Sequence, residues 1–236
     1  DNNIMDIDPF TIFGLFNKGL KNENRIKILT AIAELFELSH DIPTSFDGIP
    51  VLINQNATYY LFYTDRGDSD IDDLWELFVT ALAYSENSTS ENKYHFSLYF
   101  DKVSNRKNNG NAKITMGLYW IASNSFLNID GPNKEYIYES GKLPLELVHK
   151  LPRIHSKISA SDYFSIVESL KNYLDSPQSE LKNFNELSFA AWKYSKPVEK
   201  EEQVKNEISE SSAPGYNLPS EDTNESEKVV TSYTRE

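Results

Sequence analysis

Four basic residues, Lys102, Arg106, Lys107 and Lys113, flank a glycine–asparagine loop, and Tyr119 and Trp120 follow directly. Cations hold phosphate oxygens and aromatic rings stack on bases, so this is the pattern a nucleic-acid site needs. Asp130, Asn133 and Lys134 lie a short way downstream. Arg66 sits upstream in an acidic run, where it either pairs with an aspartate or faces a phosphate. The competing reading is a solvated loop with Trp120 packed in the core.

Other chemistries fit less well. Gly14 and Gly19 have the spacing of a phosphate-binding loop, but Leu20 and Lys21 stand where lysine and a hydroxyl residue must reach phosphate and magnesium. Asp65, Asp68, Asp70, Asp72 and Asp73 outline a cation loop, yet Gly67 comes too early for the EF-hand pattern. Helix capping explains these carboxylates as well. His40, His95, His149 and His155 are scattered, with no HExxH motif, and Glu91-Asn92-Lys93 is a weak match to a nuclease Glu-x-Lys. Leu151-Pro152-Arg153-Ile154-His155 has the outline of a helix-hairpin-helix turn, but Arg153 and His155 replace the glycines that let a backbone approach DNA. The absence of cysteine removes thiol nucleophiles and cysteine-based zinc sites. The expectation is a non-catalytic chain without cofactor or metal.

A net charge of −13 weighs against non-specific nucleic-acid binding while leaving room for a local basic groove. No apolar run reaches the roughly 18–20 residues needed to span a bilayer, and no charged segment precedes an apolar one at the N-terminus. The expected location is the cytoplasm, with no membrane partner.

The elements that position these residues read as mainly α-helical, with an α-dominant α+β arrangement as the alternative. Residues 1–7 are expected to fray, with Met5 as the natural start. Asp8-Pro9 is an N-cap followed by proline at the first helical position, and Ile12, Phe13, Phe16 and Leu20 repeat at helical spacing. A second core helix is expected from Asn22, with Ile28, Leu29, Ile32, Leu35 and Phe36 on its face. Residues 40–50 form a loop, and residues 57–64 read as helix or strand equally. Ile71, Leu74, Trp75, Phe78, Ala81 and Leu82 form an amphipathic stripe. A helix capped by Ser88 or Ser90 should turn Tyr94, Leu98 and Val103 inward. Residues 114–121 suit helix or strand. The buried helix is favoured, leading into an extended piece at 126–129. After a helical turn at 134–138 and a proline-bent segment at 141–158, a helix from Ser159 or Ser161 shows Tyr163, Ile166, Val167, Leu170 and Leu174. A last one spans 184–194, with Leu187, Ala190, Ala191 and Tyr194. Residues 8–195 thus form a single helical domain. Residues 196–236 form an expected disordered acidic tail, since Glu, Ser, Asn, Thr and Pro dominate there.

The segments DPFTIFGLFNKGL, FDGIPVL, DRGDSDIDDLWELF, FDKV, ITMGLYWI with its following Asp-x-x-Asn, and FNELSFAAWKYS occur in this order. Together, over about residues 5–194, they resemble the N-terminal region of McrB-type restriction proteins, AAA+ NTPases of modification-dependent restriction systems. The resemblance implies a module that recognises DNA, often at a modified base, followed by an AAA+ motor that assembles into a ring and recruits a separate nuclease subunit. In relatives, Asp-Ser-Arg-Asn-Arg is expected after the apolar stretch. Here it is Asp130-Gly131-Pro132-Asn133-Lys134, so the basic residue between Asp and Asn is missing.

Under that resemblance a methylated base leaves the stack and lies between Tyr119 and Trp120, with Asp130 or Asn133 testing its edge. Some modules of this group are PUA-like β-barrels, which the helical pattern does not match. The alternative class is an acidic adaptor that docks on a partner subunit or a phage protein. One coherent basic face favours DNA, and an exposed apolar patch favours a protein partner.

Overall fold

A computed structural model describes residues 6–196. The described residues are helical, and their β pairing is a single parallel bridge between Lys18 and Leu52. The helices are α1 (Pro9–Gly14), α2 (Asn22–Leu35), α3 (Asp70–Glu86), α4 (Ser90–Ser104), α5 (Asn111–Ala122), α6 (Gly131–Tyr138), α7 (Leu145–Lys150), α8 (Ala160–Leu174) and α9 (184–196). The expectations for residues 1–5 and for the tail from 197 fall outside the described residues.

Helices α3 and α4 form the most extensive pair. Helix α3 also meets α1 and α5, and α4 meets α8. Aromatic rings fill the space between them: Phe96 stacks on Phe126 and Phe100 on Tyr163, each with centroids 5.1 Å apart. Such pairs add to the burial of their area. The hydroxyl of Tyr163 donates to the Leu127 carbonyl at 2.9 Å, which ties α8 to the segment after α5. Burial holds that hydroxyl in its neutral form by raising its pKa.

Helix α5 is buried almost all round, from Ile114 through Tyr119, as expected of a central helix rather than a surface one. Gly117 lets it approach its neighbours closely. A methyl group there would stand 2.7 Å from the Phe10 ring and 2.9 Å from the Tyr59 hydroxyl. That hydroxyl donates to the Lys113 carbonyl at 2.8 Å. The chain around Tyr59 is fixed by a polar relay. Buried Asp8 accepts the Thr11 N–H and hydroxyl, and the Thr11 hydroxyl oxygen accepts the Tyr59 N–H at 2.9 Å. Desolvation raises the Asp8 pKa, opposed by those hydrogen bonds.

Several expectations need correction. The first helix starts at Asp8-Pro9 as read, but ends at Gly14, before Phe16 and Leu20. The chain then turns so that Lys18 can bridge to Leu52. Helix α2 begins at Asn22 but is not a core helix. Its buried residue is Arg25, which donates to the Lys18 carbonyl, while Leu35 and Phe36 are exposed. In α4 the inward face is Phe96, Phe100 and Val103, and Tyr94 and Leu98 face out. That helix carries two apolar stripes, and the ring-filled core selects the one with two phenylalanines. Thr89, not a serine, caps it by accepting the Asn92 N–H. Residues 57–64 are neither helix nor strand. They are held by side-chain hydrogen bonds such as those at Tyr59, which backbone periodicity cannot register. Residues 141–158 contain α7. The last helix runs to 196 and buries Phe184, Leu187, Ser188 and Ala191.

The helix reading of 114–121 and the α8 face agree with the structure, and residues 126–129 lie outside any helix.

Candidate functional site

Two of the four clustered cations are neutralised within the fold. Lys102 donates to Asp73 at 2.7 Å, and Arg106 pairs with both Asp70, at 3.0 Å, and Asp73. The Asp73 side chain is only 6% exposed. Three aspartates in the first turn of α3 therefore do more than favour the helix dipole. Two of them clamp the C-terminal end of α4 and the loop after it. Lys107 is exposed in that loop. Arg66 lies over the rings of Tyr60 and Tyr63, at 5.5 and 5.9 Å from their centroids, a cation–π arrangement.

Lys113, by contrast, is buried. Its ammonium donates to Asn56 Oδ1 at 2.9 Å and to the Thr58 carbonyl. No carboxylate lies within ion-pair distance of it among the described residues. Desolvation lowers its pKa to about 8, with the Asp8 carboxylate acting in the opposite direction. It lines a cavity of about 420 Å³ together with Asn56, Asn108, Asn111, Asp130, Lys134 and His155. The N-terminus of α5 opens on this hollow, and its N-cap, Gly110, supplies no side-chain acceptor. Asp130 caps α6 by accepting the Asn133 N–H at 3.0 Å. Asn133 itself is buried, donating its amide to Asp130 and accepting from Ser188. It is a structural link between α6 and α9 rather than a free edge-reading group.

Tyr119 and Trp120 face a different hollow, of about 330 Å³. Its walls include the rings of Phe13, Phe16, Phe46, Tyr119 and Trp120, and Asn17, Ser123 and Asn185 add polar groups. The Trp120 indole N–H donates to the Pro50 carbonyl at 3.0 Å, and the Tyr119 hydroxyl to Asn185 Oδ1 at 2.9 Å, so both rings are held in place. Burial raises the Tyr119 pKa and keeps it a donor at neutral pH. The expected joint site thus divides: Lys113, Asp130 and Lys134 share the polar hollow, and Tyr119 and Trp120 line the aromatic one.

Sequence reasoning missed Asn56, Asn108, Asn111, Phe46, Asn17 and Asn185 as wall residues, and weighed His155 only within a loop motif. No pattern in the chain links these residues. They lie on loops and on the starts of α5 and α9, segments far apart in the chain that meet only through tertiary packing. Among the described residues, no group of three or more His, Asp or Glu side chains is placed to hold a metal.

Residues 1–194 match a family described as Domain of unknown function (DUF8425). The chain belongs to the DUF8425 family. No curated protein and no solved structure matches it. The DUF8425 match spans both hollows. Among the described residues no helix is long and apolar enough to cross a membrane.

Proposed function

We propose that this domain is the DNA-recognition module of an McrB-type defence NTPase, reading a modified base without performing catalysis itself. It works in the cytoplasm, where an AAA+ motor and a nuclease subunit supply the movement and the cutting. The observation that carries this reading is the aromatic hollow. Five rings with asparagine and serine groups between them suit an extruded base, which needs flat apolar walls and a few groups to test its edge. Trp120 and Tyr119 serve as walls, and Asn17, Ser123 and Asn185 replace Asp130 and Asn133 as the edge-testing groups.

Since Lys102 and Arg106 are held by aspartates, phosphate contacts fall to Lys107 and Arg66. Affinity for plain duplex should then be weak, and the modified base should contribute most of the discrimination. Anisotropy titrations comparing methylated with plain duplex test this directly. Methylated duplex should bind more tightly, and Phe46→Ala should cost about 1–3 kcal/mol of that preference, the range for losing one stacking partner. Equal, weak, salt-sensitive binding to both duplexes would refute the reading.

A second reading, a protein-docking adaptor, draws support from Leu35, Phe36 and Leu38, which stand exposed in succession at the end of α2. Pull-down of a partner lost in Leu35→Ser together with Phe36→Ser, with no DNA binding by the parent, would favour it.

A further inference from the structure

The polar hollow is not used by the base-reading proposal, and it is lined by Lys113, a buried lysine with no carboxylate within ion-pair distance among the described residues. The Lys113 ammonium donates to Asn56 and Thr58 and lies 5.2 Å from the centroid of the Tyr59 ring. Burying an ammonium without a counter-charge is costly unless something anionic reaches it. The α5 N-terminus points its uncapped end at the same space, and Lys134 and His155 line it, against a single carboxylate, Asp130. Asn111, 7% exposed, also lines the hollow, and its amide N–H donates to the His155 carbonyl, which fixes the first turn of α5 against residue 155.

A second hollow of about 410 Å³ shares the walls Asn56 and Asn108 and adds Tyr60, Leu61 and Phe62. Phe62 is 87% exposed and so offers a ring face to solvent beside this hollow. Anionic recognition, hydrogen-bonding amides and a stacking platform therefore follow one another across two adjoining spaces. Asn108 can occupy the shared wall because it adopts φ +73°, a conformation asparagine tolerates better than most residues.

We infer that these adjoining hollows form a binding site for a nucleotide unit, with its phosphate beside Lys113, Lys134 and the α5 N-terminus and its base against Tyr60 and Phe62. Asn56 and Asn108 face the sugar between them. The same chemistry is offered by a free mononucleotide and by one nucleotide of a single strand. The site is separate from the aromatic hollow and does not depend on the base-reading proposal.

Amide-resolved NMR titration of the whole chain tests the assignment, using deoxyadenosine 5′-monophosphate, deoxyadenosine, inorganic phosphate and a short single-stranded oligonucleotide. The monophosphate should shift the amides of Asn111, Ala112 and Lys134, and should bind more tightly than either the nucleoside or inorganic phosphate. Lys134→Glu and Phe62→Ser change exposed side chains and should leave the fold intact. The first should weaken the monophosphate about tenfold without affecting the nucleoside, and the second should weaken both. Tighter binding of the monophosphate than of the oligonucleotide assigns a free nucleotide, and the reverse order assigns a strand. No response at these amides to either nucleotide probe, or responses that neither variant alters, would overturn the site. Trp120→Leu should leave this titration unchanged, which separates its outcome from that of the aromatic hollow.

Discussion

Gly117→Ala tests the close packing on which both hollows depend. Alanine gains about 1 kcal/mol over glycine in a helix interior. Here that gain meets two larger costs. The added methyl would stand 2.7 Å from Phe10 Cδ1 and 2.9 Å from the Tyr59 hydroxyl oxygen, so a ring or the helix must move. Overpacking of this kind costs about 1–3 kcal/mol. Moving Tyr59 also breaks its bond to the Lys113 carbonyl and leaves a fully buried hydroxyl unsatisfied, about another 1–3 kcal/mol. The balance is a loss of about 3 kcal/mol. At about 2–4 °C per kcal/mol for a domain of this size, the melting temperature should fall by roughly 6–12 °C. Thermal and urea unfolding followed by circular dichroism measure this. Tyr59→Phe relieves the contact with the hydroxyl, so the double variant should be more stable than the sum of the two single losses by about 1 kcal/mol. A Gly117→Ala protein at or above the parent's stability, or strictly additive losses, would refute the packing argument.

Asp73→Asn should destabilise by about 1–3 kcal/mol, because it takes the charged partner from half-exposed Lys102 and leaves Arg106 with Asp70 alone. A double-mutant cycle with Arg106→Gln should return a coupling above about 1 kcal/mol, and a value under about 0.3 kcal/mol would contradict the clamp. Lys113 binds its proton less tightly in the folded chain, with a pKa of about 8 against 10.5. The unfolded chain therefore holds more protons between those values, and this group makes stability rise as pH climbs through that window, by at most about 3 kcal/mol. Buried Tyr59 and Tyr163 act oppositely above pH 10, since their raised pKa values favour the unfolded, ionisable form there. The measurement is thus the difference in urea midpoint between parent and Lys113→Met across the window, and a constant difference would count against an uncompensated buried ammonium.

Local chemistry carried much of the fold into the sequence. The Asp8-Pro9 entry and the α8 face were legible, because capping and 3.6-residue periodicity act within a few residues of one another. The α3 stripe was legible only in part: Ile71, Leu74 and Ala81 are buried, but Trp75 is exposed and Leu77, outside the expected stripe, is fully buried. What failed were choices made by tertiary contact. Tyr94 and Leu98 look as suited to burial as Phe96 and Phe100 until Phe126 and Tyr163 arrive to stack on the latter. Helix α2 has a credible apolar face, yet its anchor is Arg25, which lies over Phe46 with its centre 4.5 Å from the ring centroid. The cationic cluster was legible as a run of residues but its pairing was not, since an acidic run more than thirty positions away takes up Arg106. Seven positions along one helix separate Lys113 from Trp120, and at 100° per residue that gap alone does not show that each opens on a different space.

Helix α5 floors both spaces at once, with Lys113 at one end and Trp120 about 10 Å along its axis at 1.5 Å per residue. Between them Gly117 is wedged against Phe10 and Tyr59 like a fulcrum. A strut seated in this way has little room to slide, so a larger side chain at its midpoint would be felt in the walls at both ends.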